Sequence, residues 1–121
     1  GLPGAFTPTC NMNHLPGFIN AAAEIKAKGV DTIACTSVND VHVMTAWGKA
    51  TGADGKVLML ADGNGEFARA VGLARDYSDF GMGERSRRYS MIVVDGVVRA
   101  LNLEEKPGVA VSGAETILSQ L

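Results

Sequence analysis

Two cysteines are too few to staple a chain of 121 residues, and they do not form a Cys-x-x-Cys pair. Cys10 and Cys35 are therefore read as free thiols in a reducing compartment, the cytoplasm by default. No apolar run approaches the roughly 18 residues that a membrane-spanning helix needs, so no membrane partner is expected. Neither sign of charge prevails: 11 Lys and Arg against 13 Asp and Glu leave a formal charge of −2. That balance excludes electrostatic capture of nucleic acid or of an anionic membrane. Internal repeats and low-complexity tracts are missing, which excludes solenoids and disordered tails. Gly63-Asn64-Gly65 lacks the lysine of a phosphate-binding loop and reads as a turn. Cys10, His14, Cys35 and His42 match no common zinc spacing, so neither metal nor other cofactor is expected.

What remains has the balance of a globular domain, 46% hydrophobic and 20% charged. The length suits one domain, spanning residues 1–121. Residues 1–10, rich in Gly, Pro and Thr, read as a loop. A helix is expected over 11–28, where Phe18, Ile19, Ala22 and Ile25 recur at helical spacing and Gly29 ends the run. Pro16 lies inside it and should kink its first turns. A strand follows over 30–36, then a helix from an Asn39 or Asp40 cap to Thr51 and Gly52. Another strand is expected over 56–61, a short helix over 66–71 and a loop over 74–84. Asp95-Gly96 between two apolar runs predicts a hairpin of strands 89–94 and 97–103. Ser112 and Glu115 form the pattern of a capping box, so the last helix should start at Ser112.

Alternating strands and helices argue for an α/β domain with a mixed central sheet flanked by helices. A right-handed crossover would bring Cys10 and the end of the 30–36 strand to one sheet edge, where such sheets place ligands. The chain opens on Gly1 rather than Met, directly in the loop before the first helix. The domain is therefore expected to be N-terminally incomplete, short of its first strands, and an organellar leader upstream stays open.

Cys10 carries the sharpest signal. It falls in the first turn of the 11–28 helix, where free N–H groups and the positive end of the dipole favour a thiolate. Thr7 offers a hydroxyl one turn earlier, and Pro3 and Pro8 stiffen the loop. By the residues alone, an activated cysteine and a small buried apolar residue are equally good accounts. Thiolate formation has a limited reach. A cysteine of pKa ~8.5 is about 3% ionised at pH 7 and one of pKa ~6 about 90%, roughly a 30-fold gain. Enzymatic accelerations are far larger, so donors aimed at a breaking bond must contribute most.

Pro3-Gly4-Ala5-Phe6-Thr7-Pro8-Thr9-Cys10 resembles the Pro-x-x-x-Thr-x-x-Cys signature of peroxiredoxins. The likeness continues in order through His14-Leu15-Pro16-Gly17-Phe18, Ser37-Val38-Asn39-Asp40, Ala46-Trp47-Gly48, Leu60-Ala61-Asp62 and Arg88-Tyr89-Ser90-Met91, and is closest to the type II, or five-like, branch. The resemblance implies a thioredoxin-like fold and reduction of hydrogen peroxide and organic hydroperoxides through a Cys10 sulfenic acid. Cys10 resembles the peroxidatic cysteine. Thr7 resembles the hydroxyl that holds thiolate and peroxide oxygen, Pro3 the proline that shields the pocket, and Arg88 the arginine that orients the peroxide. Arg85 and Arg87 match no such position and read as solvated charge. The implied reductant is glutathione with glutaredoxin, or thioredoxin. A homodimer is implied too, with Phe6 and Phe80 near the contact.

Cys35 stays open between a resolving thiol, as in plant type II members, and a buried strand residue. The C-terminal cysteine that other five-like members use is absent from Val109-Ala110-Val111-Ser112-Gly113. His14, on the helix face of Cys10, reads as a partly exposed histidine or as a pocket-lining one. Trp47 and Met44 read as core or interface. A non-catalytic redox sensor and a general thiol–disulfide oxidoreductase on the same fold are the alternative functions.

Overall fold

The computed structural model describes residues 1–121. After an N-terminal loop come a π-helical turn, Cys10–His14, and helix α1, Leu15–Ala27. Then follow β1 (Ala34–Ser37), α2 (Val41–Thr51), β2 (Leu58–Ala61) and α3 (Glu66–Ala70). The remainder is β3 (Ala74–Asp76), β4 (Glu84–Ser86), β5 (Tyr89–Val94), β6 (Val97–Leu103) and α4 (Ala114–Gln120).

Local chemistry explains most of these boundaries. Asp40 caps α2 by accepting from the Val43 amide at 2.9 Å, and Gly52 ends it with φ of 76°. The Asp95-Gly96 turn has φ of 50° and 78°, the left-handed pair that a two-residue hairpin requires, and β5 and β6 pair antiparallel around it. Asp62 receives the Phe67 and Ala68 amides at 3.0 and 2.9 Å, so the 63–65 turn serves the start of α3.

Four expectations need correction. The 74–84 segment is not a plain loop, because β3 and β4 pair antiparallel, Ala74 with Ser86 and Asp76 with Glu84. Helix α4 starts at Ala114 rather than Ser112, because the Ser112 hydroxyl is drawn to Glu104 at 2.6 Å. The expected 11–28 helix is π-helical over its first turn. Pro16 has no N–H to send back along the helix, and Leu15 N–H reaches Cys10 O instead. Arg85 is half-buried rather than solvated and donates to the Met82 and Val38 carbonyls at 2.9 and 3.1 Å.

Strands β1 and β2 pair parallel, as a helical crossover demands, with Cys35 beside Met59. Extended residues Gly1 and Leu2 link this pair to the β5–β6 hairpin. Leu2 N–H donates to Thr36 O at 3.2 Å, and Tyr89 N–H to Gly1 O at 2.9 Å. The α/β class is as expected, but the strands form three two-stranded pairs, β1–β2, β3–β4 and β5–β6, rather than one central sheet. A groove of about 960 Å³ runs between β1 and β5 beyond Leu2, lined by Ile33, Cys35, Tyr89 and Met91. The core gathers Cys10, Leu15, Ile25, Cys35, Met44 and Trp47 in one cluster. Trp47, fully buried, donates Nε1–H to Asn11 Oδ1 at 2.8 Å and so ties α2 to the π-helical turn.

Candidate active site

The loop before Cys10 is pinned at several points. Asn39 Oδ1 accepts the Ala5 amide at 2.9 Å and the Ser37 hydroxyl at 2.7 Å. The Thr7 hydroxyl donates to Gly4 O at 2.7 Å. Phe6 takes the left-handed conformation, φ 62°, and is 49% exposed, its ring 6.3 Å from that of Trp47. The Asn11 amide then donates to Thr7 O at 2.8 Å, and the helical run begins with Cys10 in its first turn.

Cys10 is fully buried, and its Sγ accepts from Arg88 Nη2 at 3.2 Å. The arginine comes from the short link between β4 and β5, and Arg85 of β4 fastens that link beside the loop before Cys10 through Val38 O. No carboxylate pairs with Arg88: the ion pairs of the chain are Arg69 with Glu84 and Arg87 with Glu105. Its charge is therefore directed at the sulfur instead of being neutralised.

His14 is buried, not partly exposed. Nε2 lies 2.9 Å from Ser112 O, and Nδ1 lies 3.0 Å from Arg88 Nη1. Burial pushes its pKa down to about 4; the Ser112 carbonyl opposes the shift and the Arg88 charge adds to it. The ring is therefore neutral at pH 7. The same shift makes stability depend on pH. Unfolded His14 binds a proton near 6.5 and the buried ring only near 4. Between those values the unfolded chain holds more protons, so stability is lost as the pH falls. The expected loss from this group is roughly 2 kcal/mol between pH 7 and 5. Urea unfolding at the two pH values measures it, and His14→Phe should show a correspondingly flatter dependence.

Behind His14, Glu104 Oε2 accepts the Ala110, Val111 and Ser112 amides at 2.9, 2.9 and 2.8 Å, besides the Ser112 hydroxyl. Burial alone would raise the pKa of this carboxyl; the Ser112 hydroxyl and the three amides outweigh it and hold the group below the usual range.

Cys35 is a buried free thiol on β1, in the same core cluster as Cys10. Burial pushes its pKa up to about 11, so the thiol is protonated at pH 7. Pro3 is half-buried in the loop. The structure thus joins Cys10 and Arg88 directly, leaves the Thr7 hydroxyl on Gly4, and adds His14, Ser112 and Glu104. Only His14 carried a sequence signal, its place on the helix face of Cys10.

Comparison with known proteins agrees with this constellation. The redoxin family model matches residues 1–118. The chain is 55% identical over 123 residues to chloroplastic peroxiredoxin-2E-2 of Oryza sativa, covering 99% of this chain and 55% of the relative. It thus spans about half the length of that relative. It is 50% identical over 121 residues to peroxiredoxin-2B of Arabidopsis thaliana, covering 100% of this chain and 75% of that one. Among solved structures, reduced Prx3 of Vibrio vulnificus in complex with hydrogen peroxide superposes with a TM-score of 0.95 at 55% identity, covering 99% of this chain and 77% of that one. With the fold, the Cys10–Arg88 contact and these likenesses in agreement, the chain belongs to the redoxin family, in its peroxiredoxin branch, and has the thioredoxin-like fold.

Proposed function

We propose that the chain is a thiol-dependent peroxidase that reduces hydrogen peroxide and organic hydroperoxides at Cys10. The observation that carries this reading is the unneutralised Arg88 guanidinium, 3.2 Å from a buried cysteine sulfur at a helix start. The Cys10 thiolate attacks the terminal peroxide oxygen. An S–O bond forms as the O–O bond breaks, and the leaving alkoxide takes a proton to depart as alcohol or water. Cys10 is left as sulfenic acid, oxidised by two electrons. Arg88 holds the sulfur and meets the charge that moves onto the oxygens. The Thr7 hydroxyl commits its own proton to Gly4 O, so toward a peroxide it can act only as an acceptor of the O–H. Pro3, without an N–H, closes the loop side against water. The Vibrio vulnificus relative was crystallised with hydrogen peroxide, the ligand this reading assigns here.

Sulfenic acid must be reduced by a thiol, for which glutathione with glutaredoxin, or thioredoxin, fits. Cys35 is a poor resolver as it stands, because its thiol is protonated and a disulfide needs Cα atoms within about 7 Å in a suitable orientation. After one equivalent of peroxide, intact mass should show one added oxygen, converted by glutathione into a mixed disulfide. Loss of two hydrogens would instead make Cys35 the resolving thiol. The reading includes a homodimer through exposed Phe6 and Phe80, 49% and 73% accessible. A reducing compartment, the cytoplasm or an organelle, suits the two free thiols, and no helix is long and apolar enough to cross a membrane.

A further inference from the structure

Arg88 has a long side chain with much rotamer freedom to lose, and no carboxylate to hold it. What holds it is His14. A peptide carbonyl only accepts, so the ring nitrogen facing Ser112 O, Nε2, must carry the proton. Nδ1 is then a bare lone pair, and the Arg88 Nη1–H donates to it. One face of the planar guanidinium fork is thereby fixed on His14 while the other, Nη2, meets Cys10 Sγ. The carbonyl that sets the tautomer belongs to a loop with no regular structure, and Glu104 immobilises that loop through four hydrogen bonds to its side chain. Glu104 is itself anchored to the arginine, since its amide donates to Arg88 O at 3.0 Å.

We propose that His14 is a positioning residue, a neutral acceptor of fixed tautomer that locks Arg88 onto the Cys10 sulfur, with Glu104 setting that tautomer through the Ala110–Ser112 loop. The proposal deepens the peroxidase reading and rests on it for its consequence, although the Arg88–Cys10 coupling exists without it. A charged imidazolium could not serve, because both its nitrogens donate and its charge would repel the guanidinium. Two segments remote in sequence, the helix start and the 104–112 region, therefore act on one sulfur.

The test is a double-substitution cycle on the full chain, read in two ways: the rate of Cys10 oxidation by hydrogen peroxide, and the rate of Cys10 alkylation by iodoacetamide in a Cys35→Ser background. His14→Phe preserves the ring volume and removes the acceptor; it should slow oxidation about 10- to 100-fold. His14→Asn keeps an acceptor near Nδ1 and should recover a large part of that loss. Glu104→Gln should slow oxidation several-fold although it touches neither Cys10 nor peroxide. In an Arg88→Ala background, His14→Phe should have no further effect, because the group it positions is gone. Additive losses in the cycle, or an Asn variant as slow as the Phe variant, would overturn the proposal. Should His14→Phe fail to fold, the same cycle run with His14→Asn and Glu104→Gln decides, additivity again being the contrary result. Failure of the wild type to react with peroxide would sink the peroxidase reading alone, because alkylation still reports whether His14 acts through Arg88.

Discussion

Cys10→Ser is expected to lower peroxide consumption to the background of the assay without unfolding the protein. A serine hydroxyl is un-ionised at neutral pH and is a far poorer nucleophile toward oxygen than a thiolate. The structure offers no substitute: Cys35, the other thiol, is buried and protonated. The exchange is nearly isosteric in a fully buried position, and Arg88 Nη2 can donate to the new oxygen. The melting temperature should therefore shift by only a few degrees. Thiol-dependent peroxide consumption that persists in Cys10→Ser would place the chemistry elsewhere.

Arg88→Ala is expected to cost about 10²- to 10³-fold in the rate of oxidation by peroxide, the usual loss of a preorganised donor at a developing negative charge. The size of the loss separates two accounts. If arginine only raised the thiolate population, its removal would slow oxidation by no more than the accompanying fall in thiolate fraction, roughly 30-fold for a thiol that goes from full to ordinary ionisation at pH 7. The ultraviolet absorbance of the thiolate gives that fraction in each protein. A loss larger than the fall in thiolate fraction belongs to the O–O cleavage step. A loss equal to it would show that Arg88 acts on ionisation alone. Arg88→Lys should recover little, because one ammonium cannot serve His14 and Cys10 through a planar fork.

The elements with local signatures were legible in the residues alone. The α2 cap and stop at Asp40 and Gly52, and the hairpin at Asp95-Gly96, follow from side-chain and backbone preferences within a few positions. Cys10 at a helix start followed from the spacing of the helix after it, and Arg88 before Tyr89 from the family resemblance. What stayed hidden depends on partners far along the chain. Strands β3 and β4 are three residues each and mostly polar, so no apolar alternation marks them. Ser112 has the look of a helix cap, yet Glu104 competes successfully for its hydroxyl. His14 lies on the Cys10 face by helical spacing, but nothing nearby tells that Ser112 O covers its other nitrogen. Arg85 read as solvated because two carbonyls that it satisfies, one of them at Val38, are visible only in three dimensions.

The central claim is that an unneutralised arginine turns one buried sulfur into a peroxide-reducing group. Mixing the reduced protein with one equivalent of hydrogen peroxide, and following loss of thiol with identification of the modified residue by mass, tests it most directly. The account predicts that Cys10 is oxidised orders of magnitude faster than free glutathione under the same conditions, and that Cys35 is not attacked first. Oxidation of Cys10 no faster than of glutathione, or first attack at Cys35, would contradict it.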